Sequence, residues 1–79
     1  MRARVYVTLK DGVLDPAGKA VQQGLRALGF DEVADVRLGK FIELELGDCA
    51  DPEARVRAMS EKLLANPVME DFRVELVTR

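Results

Sequence analysis

From Arg2 to Leu9 the side chains alternate: Ala3, Val5, Val7 and Leu9 fall on one side, Arg4, Tyr6 and Thr8 on the other. A period of two is the mark of a strand with one buried face. After a loop holding Gly12, Asp15-Pro16 predicts a helix start. Aspartate at the cap accepts first-turn amide hydrogens, and proline at the first helical position gives up a donor that would have had no partner. Ala17, Ala20, Val21, Gly24, Leu25 and Leu28 then form an apolar stripe, with Lys19, Gln22, Gln23 and Arg26 on the wet side. Gly24 lowers helix propensity, and its expected return is close approach of the helix to a sheet. Gly29 supplies a left-handed exit, with Phe30 folding back onto Leu25 in a Schellman arrangement.

The stretch from Val33 to Leu46 keeps one parity throughout, with Ala34, Val36, Leu38, Ile42, Leu44 and Leu46 all even. A two-residue turn at Gly39-Lys40 would force Glu43 and Glu45 inward, which is costly. Two arrangements preserve the pattern. One is a three-residue loop containing Gly39 that pairs Leu38 with Ile42; the other is one long strand bent at Gly39. Asp51-Pro52 repeats the helix-entry signal, and Val56, Met59, Leu63 and Leu64 fit a buried stripe. Asn66-Pro67 ends that helix, and Phe72, Val74 and Leu76 alternate with Arg73 and Glu75 as a last strand. The expected fold is α+β: a two-layer sandwich in the order β-α-β(β)-α-β. It has a mainly antiparallel sheet of three to four strands and two helices on one face.

Composition adds a constraint that pattern does not. Seventy-nine residues, 48% hydrophobic and 33% charged, suit one globular domain spanning 1–79. A chain this short buries little more apolar area than is needed to offset ordering entropy, so small folds lean on disulfides, metals or self-association. With one Cys and no His, self-association is the route left, as a homodimer or a tetramer. A net charge of −2 with interleaved signs argues against nucleic acid and anionic lipid as partners. No apolar run approaches the ~20 residues of a membrane span, and the chain begins directly on a strand pattern with no signal peptide. The lone thiol and the lack of a targeting segment favour a cytoplasmic location.

Candidate chemistry is sparse. Cys49 has no histidine to act as its base and reads as a small side chain at a strand-to-helix corner. Asp15 and Asp51 are explained as caps, while Glu43 and Glu45 share the outer face of a strand rather than a cleft. The loop from Lys10 to Gly18 lacks phosphate-loop spacing. The outer sheet face, expected to carry Arg4, Tyr6, Thr8, Arg37, Phe41, Glu43, Arg73 and Val77, is more informative. Aromatics set among arginines are typical of contact surfaces.

Three stretches in register then carry a resemblance. Val5-Tyr6-Val7 with Lys10, followed by Gly12-Val13-Leu14-Asp15-Pro16 and Gly18, is similar to the opening of the PurS family. Val36-Arg37-Leu38-Gly39-Lys40 resembles its middle, and Lys62-Leu63-Leu64-Ala65-Asn66-Pro67-Val68 the end of its second helix. The resemblance implies a small, non-catalytic subunit of phosphoribosylformylglycinamidine (FGAM) synthase in de novo purine biosynthesis. That complex is an ATP-dependent amidotransferase and ligase, making the amidine from formylglycinamide ribonucleotide, glutamine and ATP. The glutaminase subunit PurQ releases ammonia, and the synthetase subunit PurL uses ATP and magnesium. This chain is then expected to bind no cofactor and no metal, and to dock the two partners for ammonia transfer.

The resemblance also singles out Lys10, Gly12, Asp15, Arg37, Lys40, Asn66 and Pro67. Gly12, Asp15 and Asn66-Pro67 have local explanations as turn, cap and helix stop. Lys10, Arg37 and Lys40 do not, and with Tyr6, Phe41 and Asn66 they are the interface candidates. Two rivals remain: a ferredoxin-like regulatory module binding an amino acid at a dimer interface, and a small stand-alone enzyme using Tyr6, Arg37 and Glu43.

Overall fold

The computed structural model describes residues 1–77, so the last two residues of the expected domain lie outside the described residues. The elements run β1 (Arg2–Leu9), α1 (Pro16–Ala27), β2 (Gly39–Glu45), α2 (Pro52–Met59) and β3 (Glu70–Val77). The strand order is β2-β1-β3, antiparallel throughout. The α+β class and the element order are those the pattern predicts.

Register explains the core. Ala3 stands between Leu44 and Leu76, and Val5 between Ile42 and Val74. Alternation therefore puts the apolar members of all three strands on one face. Ala3, Val5 and Val7 on the central strand are fully buried, and α2 seals the β3 side of that face with Val56, 0% exposed. The opposite face carries Arg2, Arg4 and Tyr6, flanked by Glu45, Glu43 and Phe41 on β2 and by Glu75 and Arg73 on β3.

Both caps form as expected. Asp15 Oδ1 accepts from Gly18 N at 2.9 Å, and Asp51 Oδ1 from Ala54 N at 3.3 Å. α1 ends in the expected Schellman motif, with Gly29 at φ 101, Phe30 N donating to Leu25 O at 3.0 Å and Gly29 N to Arg26 O at 3.0 Å.

Three expectations need correction. First, α2 does not continue as a regular helix: Ser60–Leu64 forms a π-helical turn, with Ala65 N donating to Ser60 O at 2.9 Å. The wider turn shifts the phase of the buried stripe. The fully inward positions become Val56, Ser60 and Ala65, Leu64 still packs against the core as expected, and Leu63 turns outward at 84% exposed. The buried Ser60 hydroxyl is satisfied by donating to Val56 O at 2.9 Å.

Second, Val33–Leu38 is neither a hairpin strand nor the start of β2; it belongs to no strand of the sheet. It runs back along α1. Arg26 Nε donates to Val33 O at 3.3 Å, Gln22 Nε2 to Ala34 O at 2.7 Å, and Leu38 N to Asp15 Oδ2 at 3.0 Å. Five residue steps of this segment thus cover the length of eleven helical steps, about 16 Å at the helical rise, which requires extended chain.

Third, α1 makes no substantial contact with the sheet of its own chain. The close approach is at Gly18, where a Cβ would strike Val36 O, and not at Gly24, which has open space around it. Helix and returning segment form an arm projecting from the end of the sheet, so the molecule measures 49 × 29 × 14 Å. Its radius of gyration is 15.9 Å, against about 11.6 Å for a compact chain of this length.

Candidate functional site: the arm and its hinge

The arm joins the sheet through two strands of chain, Lys10–Leu14 going out and Leu38–Gly39 coming back. Most of the residues that the sequence singles out converge there. Lys10 N donates to Met69 O at 2.9 Å, and Lys10 Nζ reaches Asp71 Oδ1 at 3.0 Å, tying the end of β1 to the start of β3. Arg37 sits in the arm and not on the outer sheet face where alternation put it. It bridges to the outgoing connection through Asp11 Oδ1 at 3.0 Å and to the end of β1 through the Leu9 carbonyl. Lys40 Nζ caps the last carbonyl of the π turn, Leu64 O, at 3.3 Å, with Glu70 Oε2 at 3.9 Å.

Asn66 organises the adjacent corner: its Oδ1 accepts from Val68 N at 3.0 Å and its backbone N donates to Glu70 Oε1 at 2.7 Å. Pro67 lies within that turn, and Gly12 holds a left-handed conformation at φ 84 in the outgoing strap. Tyr6 and Phe41 stand apart from the hinge on the outer face. Their ring centroids are 5.1 Å apart, the Arg73 guanidinium lies 4.2 Å over the Tyr6 ring, and Tyr6 OH donates to Glu75 Oε1 at 3.2 Å. Phe41 remains 55% exposed. Sequence reasoning missed the acidic counterparts Asp11, Glu70 and Asp71. Their signal was present as opposite charges at matching distances from the strand ends.

Asp15 is the pivot. One carboxylate oxygen caps α1 and the other accepts from Leu38 N, so a single side chain clips the returning segment to the helix start. The amide hydrogen bonds from Leu38 and Gly18 hold its carboxyl below the usual 3.8. An open cleft of ≈ 490 Å³ lies beside it, lined by Asp11–Asp15, Lys19 and Asp35–Arg37. A carboxylate pushed down in pKa is a poor proton donor or acceptor at neutral pH. The geometry suits holding chain segments together better than it suits bond-making.

Besides these polar groups the arm carries an exposed apolar stripe. Leu28 is 76% exposed, and Val21, Phe30 and Leu38 are exposed beside it. A helix stripe of this kind belongs against another surface, and the described residues of its own chain do not supply one.

The family model for PurS, phosphoribosylformylglycinamidine (FGAM) synthase, matches residues 2–78. The chain belongs to the PurS family. The Bacillus subtilis FGAM synthase subunit PurS is 49% identical over 76 residues, covering 95% of this chain and 90% of that protein. Among solved structures, B. subtilis PurS superposes with a TM-score of 0.90 at 47% identity, covering 98% of both chains. The structure of PurLQS from Thermotoga maritima contains a chain that matches with a TM-score of 0.79 at 29% identity, covering 96% of this chain and 95% of that one. The extended architecture of this PurS-family chain is therefore shared with crystallised relatives.

Proposed function

We propose that this chain is the small assembly subunit of an FGAM synthase. It would work in the cytoplasm with a synthetase subunit, PurL, and a glutaminase subunit, PurQ, and associate with itself as a homodimer or tetramer. Its task is to hold the two larger subunits so that ammonia released from glutamine reaches the synthetase without escaping to solvent. ATP and magnesium belong to the synthetase in this reading, and this chain binds neither.

The observation that carries the proposal is the arm. A chain of 8.8 kDa exposes 5774 Å² of surface, where a compact one of that mass exposes about 4,800 Å². The excess of about 1,000 Å² is close to what one partner buries in a standard protein interface. The existence of a PurLQS assembly in T. maritima, with a chain of the same fold, supports the choice of partners. The test is omission. With the purified synthetase and glutaminase, glutamine-dependent amidine formation is expected only when this chain is added, while ammonia-dependent formation by the synthetase survives at high ammonium. Full glutamine-dependent turnover in its absence refutes the proposal.

A further inference from the structure

We propose that Asp11-Gly12, in the outgoing strap of the hinge, is a modification site: the chain converts Asp11 to isoaspartate without an enzyme, and the conversion loosens the arm. The reaction needs a side-chain carboxyl followed by a main-chain amide free to attack it. The sequence offers one favourable pair. Asp15 and Asp51 precede prolines, whose nitrogen has no hydrogen to release. Asp35 and Asp71 precede Val36 and Phe72, whose side chains crowd the attacking nitrogen. Gly12 has no Cβ to do so.

The fold keeps this pair open. The Asp11 side chain is 99% exposed. Gly12 stands at φ 84, and nothing lies within 4 Å of the place a Cβ would take. Val13 N donates to Lys10 O at 3.1 Å, so Asp11 and Gly12 are the two central residues of a turn closed by one main-chain bond. Glycine permits the rotation of the joining peptide that brings its nitrogen to the carboxyl carbon. One side-chain contact opposes that rotation: Arg37 Nη1 donates to Asp11 Oδ1 at 3.0 Å. Arg37 is therefore the guard of the site.

The step balances with water as the only co-reactant. The Gly12 nitrogen bonds to Asp11 Cγ, and a Cγ–O bond breaks. That oxygen leaves as water, carrying the amide proton and one proton from solvent. Water then opens the five-membered imide at the main-chain carbonyl carbon of Asp11. The chain now runs through Cβ, the free carboxylate sits on Cα, and one proton returns to solvent. The product has the mass and charge of the original. It has one more atom in the main chain of the strap, which spoils both the Lys10–Val13 turn and the Arg37 bridge. Arg37 is the side chain that joins the arm to the strap and to the end of β1, so the hinge loses a tie. Resting on the self-association proposed above, a chain so changed holds its copy less firmly.

The test ages the full chain for several weeks in warm neutral buffer. It is then digested in mild acid, and the fragments are sequenced by electron-transfer mass spectrometry, which separates isoaspartate from aspartate by its backbone cleavage. Isoaspartate is expected at position 11 ahead of every other aspartate; its absence there overturns the site. Arg37→Gln should speed the conversion, and an unchanged rate removes the guard. Gly12→Ala should abolish it. Should that variant fail to fold by circular dichroism, Asp11→Asn keeps the turn and should isomerise faster, releasing ammonia; a slower rate would contradict the mechanism. Associated and free chains of the aged sample are then separated by size. Isoaspartate should be enriched in the free fraction, and equal content in both overturns the loosening. If the chain never self-associates, that part of the proposed function falls by itself. The loosening is then read as faster hydrogen exchange at the Val13 amide of the isomer, and unchanged exchange there overturns it.

Discussion

The two halves of the molecule are built by the same rules and end in different states. The sheet with α2 is complete on its β3 side: its central strand is buried on the inner face, its helix is seated, and among the described residues its one fully buried polar residue, Ser60, has a partner. The arm has comparable local quality, with a capped start, a Schellman exit and three hydrogen bonds clipping its extended segment to its helix. It nonetheless leaves its apolar stripe in solvent. Local signals specify that a helix forms and which face it buries; they do not specify which chain supplies the other surface.

The sharpest way to break this contrast is to damage the complete half. Val5→Asp buries an unpaired carboxylate between Ile42 and Val74 and should cost at least about 4 kcal/mol. Loss of the cooperative thermal melt is the expected result. The matching change in the arm, Val21→Asp, should leave helix and strand content nearly unchanged by circular dichroism. It should weaken self-association at least tenfold, about 1.4 kcal/mol, as read by sedimentation. If Val21→Asp unfolds the chain and leaves association intact, the division into a complete and an incomplete half is wrong.

That division also explains what was legible in advance. Alternation located β1 and β3, and the two Asp-Pro signals located both helix starts. Gly29 and Phe30 marked the end of α1, because a Schellman motif is written in adjacent residues. The π turn was not legible, because it depends on burying Ser60 under a sheet contributed from elsewhere in the chain. The arm was missed for a related reason. Parity of Val33–Leu46 is satisfied equally by a hairpin, a long strand or an extended arm, and the pairing of Gly39 with Thr8 excludes the hairpin. The hinge residues Lys10, Arg37 and Lys40 stood out by resemblance to the PurS family, and their intramolecular partners appear only in three dimensions.

Smaller effects refine the comparison. Ser60→Ala removes the hydroxyl that donates to Val56 O in the complete half and should lower stability by about 1 kcal/mol. A thermal melt and its midpoint measure this, with association unaffected. In the arm, the Asp15 clip should respond to acid. Its folded carboxyl lies below the ordinary 3.8, so its contribution is fully present above that value and is lost as pH falls through the lowered folded value. Hydrogen exchange at the Leu38 amide should therefore gain no extra opening from pH 7 down to the ordinary carboxylate range and show it only in stronger acid. Asp15→Ala should show that opening at every pH.

The most direct measurement is sedimentation equilibrium on the unmodified chain over a wide dilution series. A half-complete molecule predicts a mass at micromolar concentration that is a multiple of 8.8 kDa, falling only on strong dilution. A constant 8.8 kDa with a radius of gyration near the compact value of about 11.6 Å would contradict it, because the arm would then have found its surface within its own chain.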